Sequence, residues 1–535
     1  MTSACLPPDD YELSRTNTAG SDDHKAPLLD DDDDDFESHL LSGHAVSAIA
    51  KPPPLTSRFV TIVPAYLRHQ YRSRRRRPPR LTRSYSCSPR SILRTFALFA
   101  YSFTAVIVLI VIFSAVFFPG YTHLPPHYAR LRQQALASTQ SGRANGGQQK
   151  VFIAATIYDR GARLTGGPWA KRVLGLVHLL GAENVHLSIY VNDSGPESQK
   201  ALDELGHQLK CNHSLVYDEH VGFDEIPHVK LPDGSVRTKR IAYLAEVRNR
   251  ALRPLETSPV TFDKLLYLND VVFDPIDAAQ LLFSTNVNAQ GIAEYRAACA
   301  VDFINPFKFY DTFATRDVDG YAMGLPFFPW FSANGDERSH QDVVDQKDAV
   351  RVRSCWGGMV AFDARFFQPR KGMLELVTAG SQSPSNLSAP YRFRAEEDLY
   401  WDASECCLIQ ADIQNPEPGN TGIYMNPFVR VAYDAKTLSW LPLTRRFERL
   451  YTPIHFLLDI LVSAPGYNPR RYHEPWQLVE ETVWVPDERS ESGGSFQQIV
   501  RPATHTGFCG RRKLQVMKEN ITVGERNWEF LPVPP

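Results

Sequence analysis

The hydrophobic and polar positions change rhythm at Lys150. "KVFIAATIY" is an apolar, partly β-branched run of the buried-strand type. "GGPWAKRVLGLVHLLG" then takes helical spacing, and "NVHLSIYVND" returns to a strand. "GPESQKALDELGHQL" reads as a helix opened by turn residues with acidic groups in its first turn, and "KRIAYLAEVRNRALRPL" as another. "FDKLLYLNDVVF" is a third strand, and "PIDAAQLLFST" restarts a helix after Pro275. Strands alternating with helices predict an α/β fold, a mainly parallel sheet with helices on both faces. Ligands of such sheets bind at the carboxyl ends of the strands. The last third is rich in Pro, Trp and Tyr. It predicts loops and a few antiparallel strands completing the same domain.

Upstream, Thr95 to Phe118 is uncharged and apolar over 24 residues, long enough to cross a bilayer. It starts too late and runs too long for a cleaved signal peptide. Residues 1–50 hold 12 acidic and two basic side chains, and residues 51–94 hold 12 basic and no acidic ones. Such blocks bury too little apolar surface to order themselves, so 1–94 reads as a disordered tail. The basic block alone would fit nucleic acid. Beside an apolar span it reads instead as a topology determinant that contacts anionic lipid, with no nucleic-acid partner. The tail is then cytosolic, Thr95–Phe118 is a signal anchor in lipid, residues 119–149 are a stem, and 150–535 form a luminal domain. Four sequons lie beyond the span, at Asn192, Asn212, Asn386 and Asn520, as do six of the eight cysteines. No Cys/His spacing there points to structural zinc, and adjacent Cys406 and Cys407 read as separate bridge or core residues.

Candidate chemistry gathers at strand ends. In "YLNDVVF", Asp270 stands where the third strand stops. It is either a turn cap or a hard oxygen ligand for Mg²⁺ or Mn²⁺ gripping a diphosphate. The helix before it offers Arg248 and Asn249 to a nucleotide. Strand one ends in Tyr158-Asp159-Arg160, where a ring stacks on a base and an acid bonds ribose. Strand two ends in Asn192-Asp193-Ser194, and a glycan on Asn192 would block that cleft. "RSCWGGMVAFDARFF" places Trp356, Gly357 and Gly358 before an apolar strand, a ring for a sugar face and glycines for close backbone approach. "FRAEEDLYW" carries Glu396, Glu397 and Asp398, acids that orient or deprotonate an acceptor hydroxyl. His505 in "ATHTGFCGRR" is a candidate late metal ligand. A helix with Arg-Asn followed by an apolar strand ending in Asp is the order found in nucleotide-sugar glycosyltransferases of the GT-A type.

These motifs together, "ATIYDRG", "LAEVRNRAL", "LLYLNDVVF", "AACAVDFINPFKFYDTFATRDVDG", "SCWGGMVAFDA" and "FRAEEDLYWDASECCL", resemble the fungal capsule-associated proteins of glycosyltransferase family 69. The likeness runs over about residues 150 to 440. It implies a GT-A-like domain in a Golgi type II membrane protein, moving mannose from GDP-mannose to a mannoside with retention to give an α-1,3 link in cell-wall or capsule glycan. A xylosyl or other donor, or a non-catalytic glycan-assembly subunit, is the alternative. The resemblance implies Asp270, Glu397 and Asp398 as catalytic, and Tyr158, Asp159, Arg160, Asp193, Arg248, Asn249 and Asn269 at the donor. It puts Trp356, Gly357 and Gly358 at the acceptor, and Asp270 with His505 on Mn²⁺ or Mg²⁺. Asn212, Asn386 and Asn520 are the expected glycan carriers, and other glycan-synthesis proteins are expected partners. The usual Asp-x-Asp metal motif is replaced by Asn269-Asp270-Val271, with Asp274 four residues after Asp270, and Asp302 in "CAVDF" is a second acid worth testing.

Overall fold

The computed structural model describes residues 89–369, 389–415, 419–487, 489–490, 492–518 and 527–534. The predicted tail before residue 89, and Asn386 and Asn520, lie outside them.

Along the chain come α1 (Pro89–Phe117), α2 (Pro126–Ala137), β1 (Val151–Ile157), α3 (Pro168–Leu180), β2 (Val185–Asn192), α4 (Pro196–Gln208) and β3 (Asn212–Asp218). A small hairpin, β4 (His228–Lys230) with β5 (Val236–Thr238), leads into α5 (Arg240–Leu252), α6 (Pro254–Thr257), β6 (Lys264–Leu268) and α7 (Pro275–Ser284). Then follow β7 (Ala297–Asn305), β8 (Lys308–Phe309), β9 (Arg316–Asp317), α8 (Glu337–Val344), β10 (Val350–Ser354) and β11 (Met359–Asp363). The last third adds β12 (Trp401–Ala403), α9 (Glu405–Ile413), β13 (Ile423–Ala432), α10 (Ala435–Thr444) and α11 (Thr452–Val462). It closes with β14 (Leu478–Pro486), β15 (Gly494–Pro502), β16 (Gly510–Arg512), β17 (Gln515–Met517) and β18 (Trp528–Phe530).

The central sheet has the order β3-β2-β1-β6-β11-β7-β13-β10-β9, with β8 on β7. β3, β2, β1 and β6 are parallel, as are β7 and β13. β11 is wedged antiparallel between β6 and β7, which the alternating pattern did not reveal. The apolar runs are continuous because both faces are covered. Phe152, Leu265 and Tyr267 pack with α5 on one face, while Val151, Ile153, Leu266 and Leu268 pack with α3 and α7 on the other.

The register decides what meets. Ala155 lies beside Leu268 and Ile189, so the loops after β1, β2 and β6 emerge at one edge. Met359 opposite Leu268 brings the turn before β11 to the same edge. The stem expectation changes: Tyr121, Tyr128, Leu131 and Ala135 are buried, and Gln280 donates to the Tyr128 carbonyl (2.7 Å), so residues 121–137 pack against the body. Two disulfides, Cys299–Cys355 and Cys407–Cys509, pin the sheet and the C-terminal part, while Cys406 is a buried free thiol.

Candidate active site

Asp270 sits two residues past the end of β6, directly after Asn269. Burial pushes its carboxyl up to about 6, against a hydrogen bond from its own backbone N–H and the more distant pull of Arg248. Its Oδ1 is buried and has no hydrogen-bond partner among the described residues. An acid capping its own turn would use that oxygen; Asp274 does, accepting from the Ile276 N–H (2.8 Å) at the start of α7. Asp270 thus keeps one buried carboxylate oxygen that the local backbone does not use.

Its neighbour points the other way. The Asn269 carboxamide oxygen accepts from Arg248 Nη1 (3.3 Å) and Trp356 Nε1 (3.2 Å), and its backbone carbonyl from Trp169 Nε1 (3.1 Å). Arg248, expected at a nucleotide, is buried. It pairs with Glu405 (2.8 Å, both side chains under 5% exposed) and lies 4.5 Å over the Trp356 ring. Asn249 exchanges hydrogen bonds with the backbone of Phe393 (2.8 and 2.9 Å). Trp356 is buried among Tyr267, Phe362 and Phe393, so it offers no face to a sugar. Gly357 and Gly358 adopt φ of +59° and +66°; a Cβ there would overlap the Ala300 carbonyl and the Val271 side chain. Their glycine character serves contact with the protein's own strands. Asn269, Arg248, Trp356 and Glu405 therefore form a buried scaffold that fixes the strand tip. Glu405 carried no sequence signal beyond standing at a helix start.

A second string of acids reaches the same turn. Asp302, fully buried on β7, accepts from the Asp311 N–H (3.1 Å) and the Tyr433 hydroxyl (3.1 Å). Burial, then the nearby Asp311 carboxylate, raises its affinity for a proton. Asp311 in turn accepts from the Gly357 N–H (3.2 Å). Asp311 went unremarked in the sequence because its loop carries no strand signal.

Two clefts open near these groups. One, of about 790 Å³, follows the ends of β1, β2 and β3 and is lined by Arg160, Asp193, Ser194, Tyr217 and His220. Asp193 has φ +54° and accepts from Asn192 Nδ2 (2.6 Å) and from His220 Nδ1 (2.6 Å). Arg160 lies 5.6 Å over the half-buried Tyr158 ring. Asp159 is not free for ribose: it is buried, accepting from Leu164 N–H (2.9 Å), Thr165 N–H (2.8 Å) and Thr165 Oγ1 (2.6 Å). Asn192 is buried and also bonded to Tyr243 (2.8 Å), which rules it out as a glycan carrier; Asn212 is exposed.

The other cleft, of about 800 Å³, lies between α5 and the C-terminal part, lined by Asn249, Glu396, Glu397, Asp398, Arg501 and His505. Glu397 is exposed. Burial opposes the charge of Asp398, but the paired bonds from Arg501 (2.9 and 2.6 Å) and the Arg470 charge hold its carboxyl below the usual range. Lys239 fixes the same loop, donating to the carbonyls of Glu396 (3.2 Å), Asp398 (3.0 Å) and Trp401 (3.2 Å). His505 Nε2 bonds Asp412 (2.7 Å), which also pairs with Arg394 (2.9 Å). His505 is thus not joined to Asp270. Among the described residues no group of three or more His, Cys, Asp or Glu side chains could hold a metal ion.

With this geometry in place, residues 150–412 match the family model described as Cryptococcal mannosyltransferase 1. That stretch, just under half of the chain, is similar to this family, and the chain is a glycosyltransferase. No curated protein matches it significantly in sequence. Among solved structures it is similar to the mannosyltransferase PcManGT from Pyrobaculum calidifontis in complex with GDP-Man and Mn²⁺, at 11% identity, over 64% of this chain and 83% of that one, TM-score 0.29. It is similar to mannosyl-3-phosphoglycerate synthase from Rubrobacter xylanophilus at 14% identity, over 72% and 94%, TM-score 0.25. S. aureus TarS 1-349 is similar at 9% identity, over 52% and 60%, TM-score 0.26. Scores this low describe partial likeness. The family match reaches from the first strand of the sheet through α9 and contains both strings of acids.

Proposed function

We propose that this glycosyltransferase moves mannose from GDP-mannose to a mannoside hydroxyl with retention, making an α-1,3 link. It would do so as a Golgi type II protein anchored by α1, in cell-wall or capsule glycan synthesis. The observation that carries the site is the buried, unpartnered Oδ1 of Asp270 at the strand edge where the loops after β1, β2 and β6 converge.

Arg160, Asp193 and His220 line the cleft at the ends of β1–β3, with the Tyr158 ring under Arg160, and they would take the nucleotide end of the donor. The diphosphate would extend toward Asp270. Glu397, exposed in the second cleft, would orient the acceptor hydroxyl, which attacks the anomeric carbon on the face the diphosphate leaves as the anomeric C–O bond to phosphate breaks, its proton passing to the departing diphosphate oxygen. Asp398 keeps its loop in place through Arg470 and Arg501. A divalent cation, Mn²⁺ or Mg²⁺, fits Asp270 as a single carboxylate ligand, because hard cations bound with a diphosphate need few protein oxygens. When bound, it supplies charge neutralisation for the departing nucleoside diphosphate. His505 does not fit as a second ligand, since Asp412 engages it. The Asn269 scaffold takes no part in binding and keeps the tip from moving.

The test uses the full chain in detergent with α-mannobiose and a panel of GDP-mannose and UDP-sugars, including UDP-xylose. Acceptor-dependent release of GDP, with an α-1,3-linked product by NMR, is expected. Acceptor-dependent release from another donor, and none from GDP-mannose, overturns the donor assignment. Loss of turnover on chelation, restored by Mn²⁺, is expected; turnover indifferent to chelator removes the cation from the reading.

A further inference from the structure

Helix α11 (Thr452–Val462) is built inside out for a water-soluble surface. Its only ionisable side chains, His455 and Asp459, are buried and pair with each other across one turn (3.0 Å), and the His455 ring packs at 5.3 Å from Phe327. Its large apolar side chains point outward: Ile454, Phe456, Leu457, Ile460 and Leu461 are between 52% and 69% exposed. Trp440 and Leu443 on the preceding α10 are about half exposed. A surface helix normally shows the reverse arrangement, and contiguous exposed apolar area of this kind marks an interaction face.

The occupant follows from what adjoins α11. Helix α1 carries an uncharged apolar window within Arg94–Phe117, is exposed throughout it, and fits a single-pass anchor. At its end the chain turns directly onto the body. The Gly120 N–H donates to the Arg445 carbonyl (2.9 Å), and Arg445 Nη1 to the Tyr121 carbonyl (3.2 Å). The last turn of α1 packs against Glu448–Tyr451, the turn that runs straight into Thr452. The first residue of α11 therefore lies beside the point where the anchor leaves the hydrocarbon. An 11-residue helix with no exposed charge and bulky aliphatic and aromatic groups outward is suited to the headgroup–acyl boundary.

We propose that α11 is a second membrane contact, its apolar face lying in the interfacial layer of the leaflet from which α1 emerges, so that the catalytic body rests on the bilayer. This rests on α1 spanning the membrane, and the experiment separates the two. The full chain, with Cys5→Ser and Cys87→Ser removing the tail thiols, is reconstituted in phosphatidylcholine liposomes. An NBD label is placed by Leu457→Cys, Leu461→Cys, Ile110→Cys on α1, or Lys200→Cys on exposed α4. Lipids brominated on the acyl chain should quench the labels at 457, 461 and 110 at least twofold more than the label at 200, and aqueous iodide should reach only the last. Quenching at 110 with iodide-accessible labels at 457 and 461 overturns the proposal for α11. So do labels at 457 and 461 shielded from both quenchers, which would mean a protein covers this face. An iodide-accessible label at 110 overturns the anchor itself.

Discussion

Arg248→Met separates a scaffold from a ligand contact. In this account Arg248 neutralises Glu405 in the interior and holds Asn269 (3.3 Å), which holds the strand tip. Methionine keeps the stacking length over Trp356 but leaves the Glu405 carboxylate buried without its cation. Removing one partner of a buried pair costs about 3–5 kcal/mol, because the orphaned charge keeps its desolvation penalty. Loss of one of the two donors to the buried Asn269 oxygen adds to this, at about 1 kcal/mol. Replacing both charged groups, in Arg248→Met/Glu405→Gln, removes the orphan. The double variant should therefore cost less than the sum of the singles by roughly 2 kcal/mol. Urea unfolding of the full chain in detergent, followed by tryptophan fluorescence, gives the four stabilities of the cycle. Donor KM measured on the same proteins gives the second readout. Arg248→Met should lower stability by several kcal/mol. The reasoning is refuted if Arg248→Met costs under about 1 kcal/mol while donor KM rises tenfold. That result would return Arg248 to the nucleotide. Strict additivity of the singles would also refute it.

Other consequences can be checked alongside. Burial lowers the Lys264 ammonium to about 8, though it donates to the Ala293 carbonyl (3.2 Å) and sits 3.9 Å over Tyr295. The unfolded chain holds this proton up to its ordinary value, so stability should rise with pH from about 8 to about 10.5. Lys264→Met should abolish that rise relative to wild type and be more stable at pH 7 by about 3 kcal/mol, read by unfolding across the pH series. Gly357→Ala forces a side chain into a left-handed backbone against the Ala300 carbonyl; it should cost at least ~2 kcal/mol and lower turnover by shifting the tip of β6. Cys509→Ser opens the bridge to Cys407, which spans 102 residues, and should lower unfolding stability by about 2–5 kcal/mol.

The fold was legible where a periodic pattern runs uninterrupted. β1, β2 and β6 with their helices stand where the apolar runs and turn residues placed them. β11 was legible as the apolar strand after Gly358, but its place, antiparallel between β6 and β7, was not, because strand direction leaves no mark in a strand's own sequence. The order of the site motifs was legible, and so were the cysteines: Cys406 is core and Cys407 a bridge. Roles were less so. "RN" and "CWGG" suited ligands as well as a scaffold, and only the depth of Arg248 and Trp356 tells these apart. Long-range partners were invisible. Glu405 lies 157 residues from Arg248, and Arg501 lies 103 from Asp398. His505 suited a metal by residue type, and Asp412, 93 residues away, occupies it.

The central claim is that Asp270 acts on the donor. Its most direct test is GDP release from GDP-mannose, with and without α-mannobiose, by the full chain and by Asp270→Asn, each first shown to unfold at the same temperature. The side chains are nearly isosteric, so the loss measures the carboxylate. The account predicts that acceptor-dependent turnover falls at least about 100-fold, the range seen when a group stabilising the transition-state charge is removed. Turnover within twofold of wild type in a folded Asp270→Asn protein would contradict it.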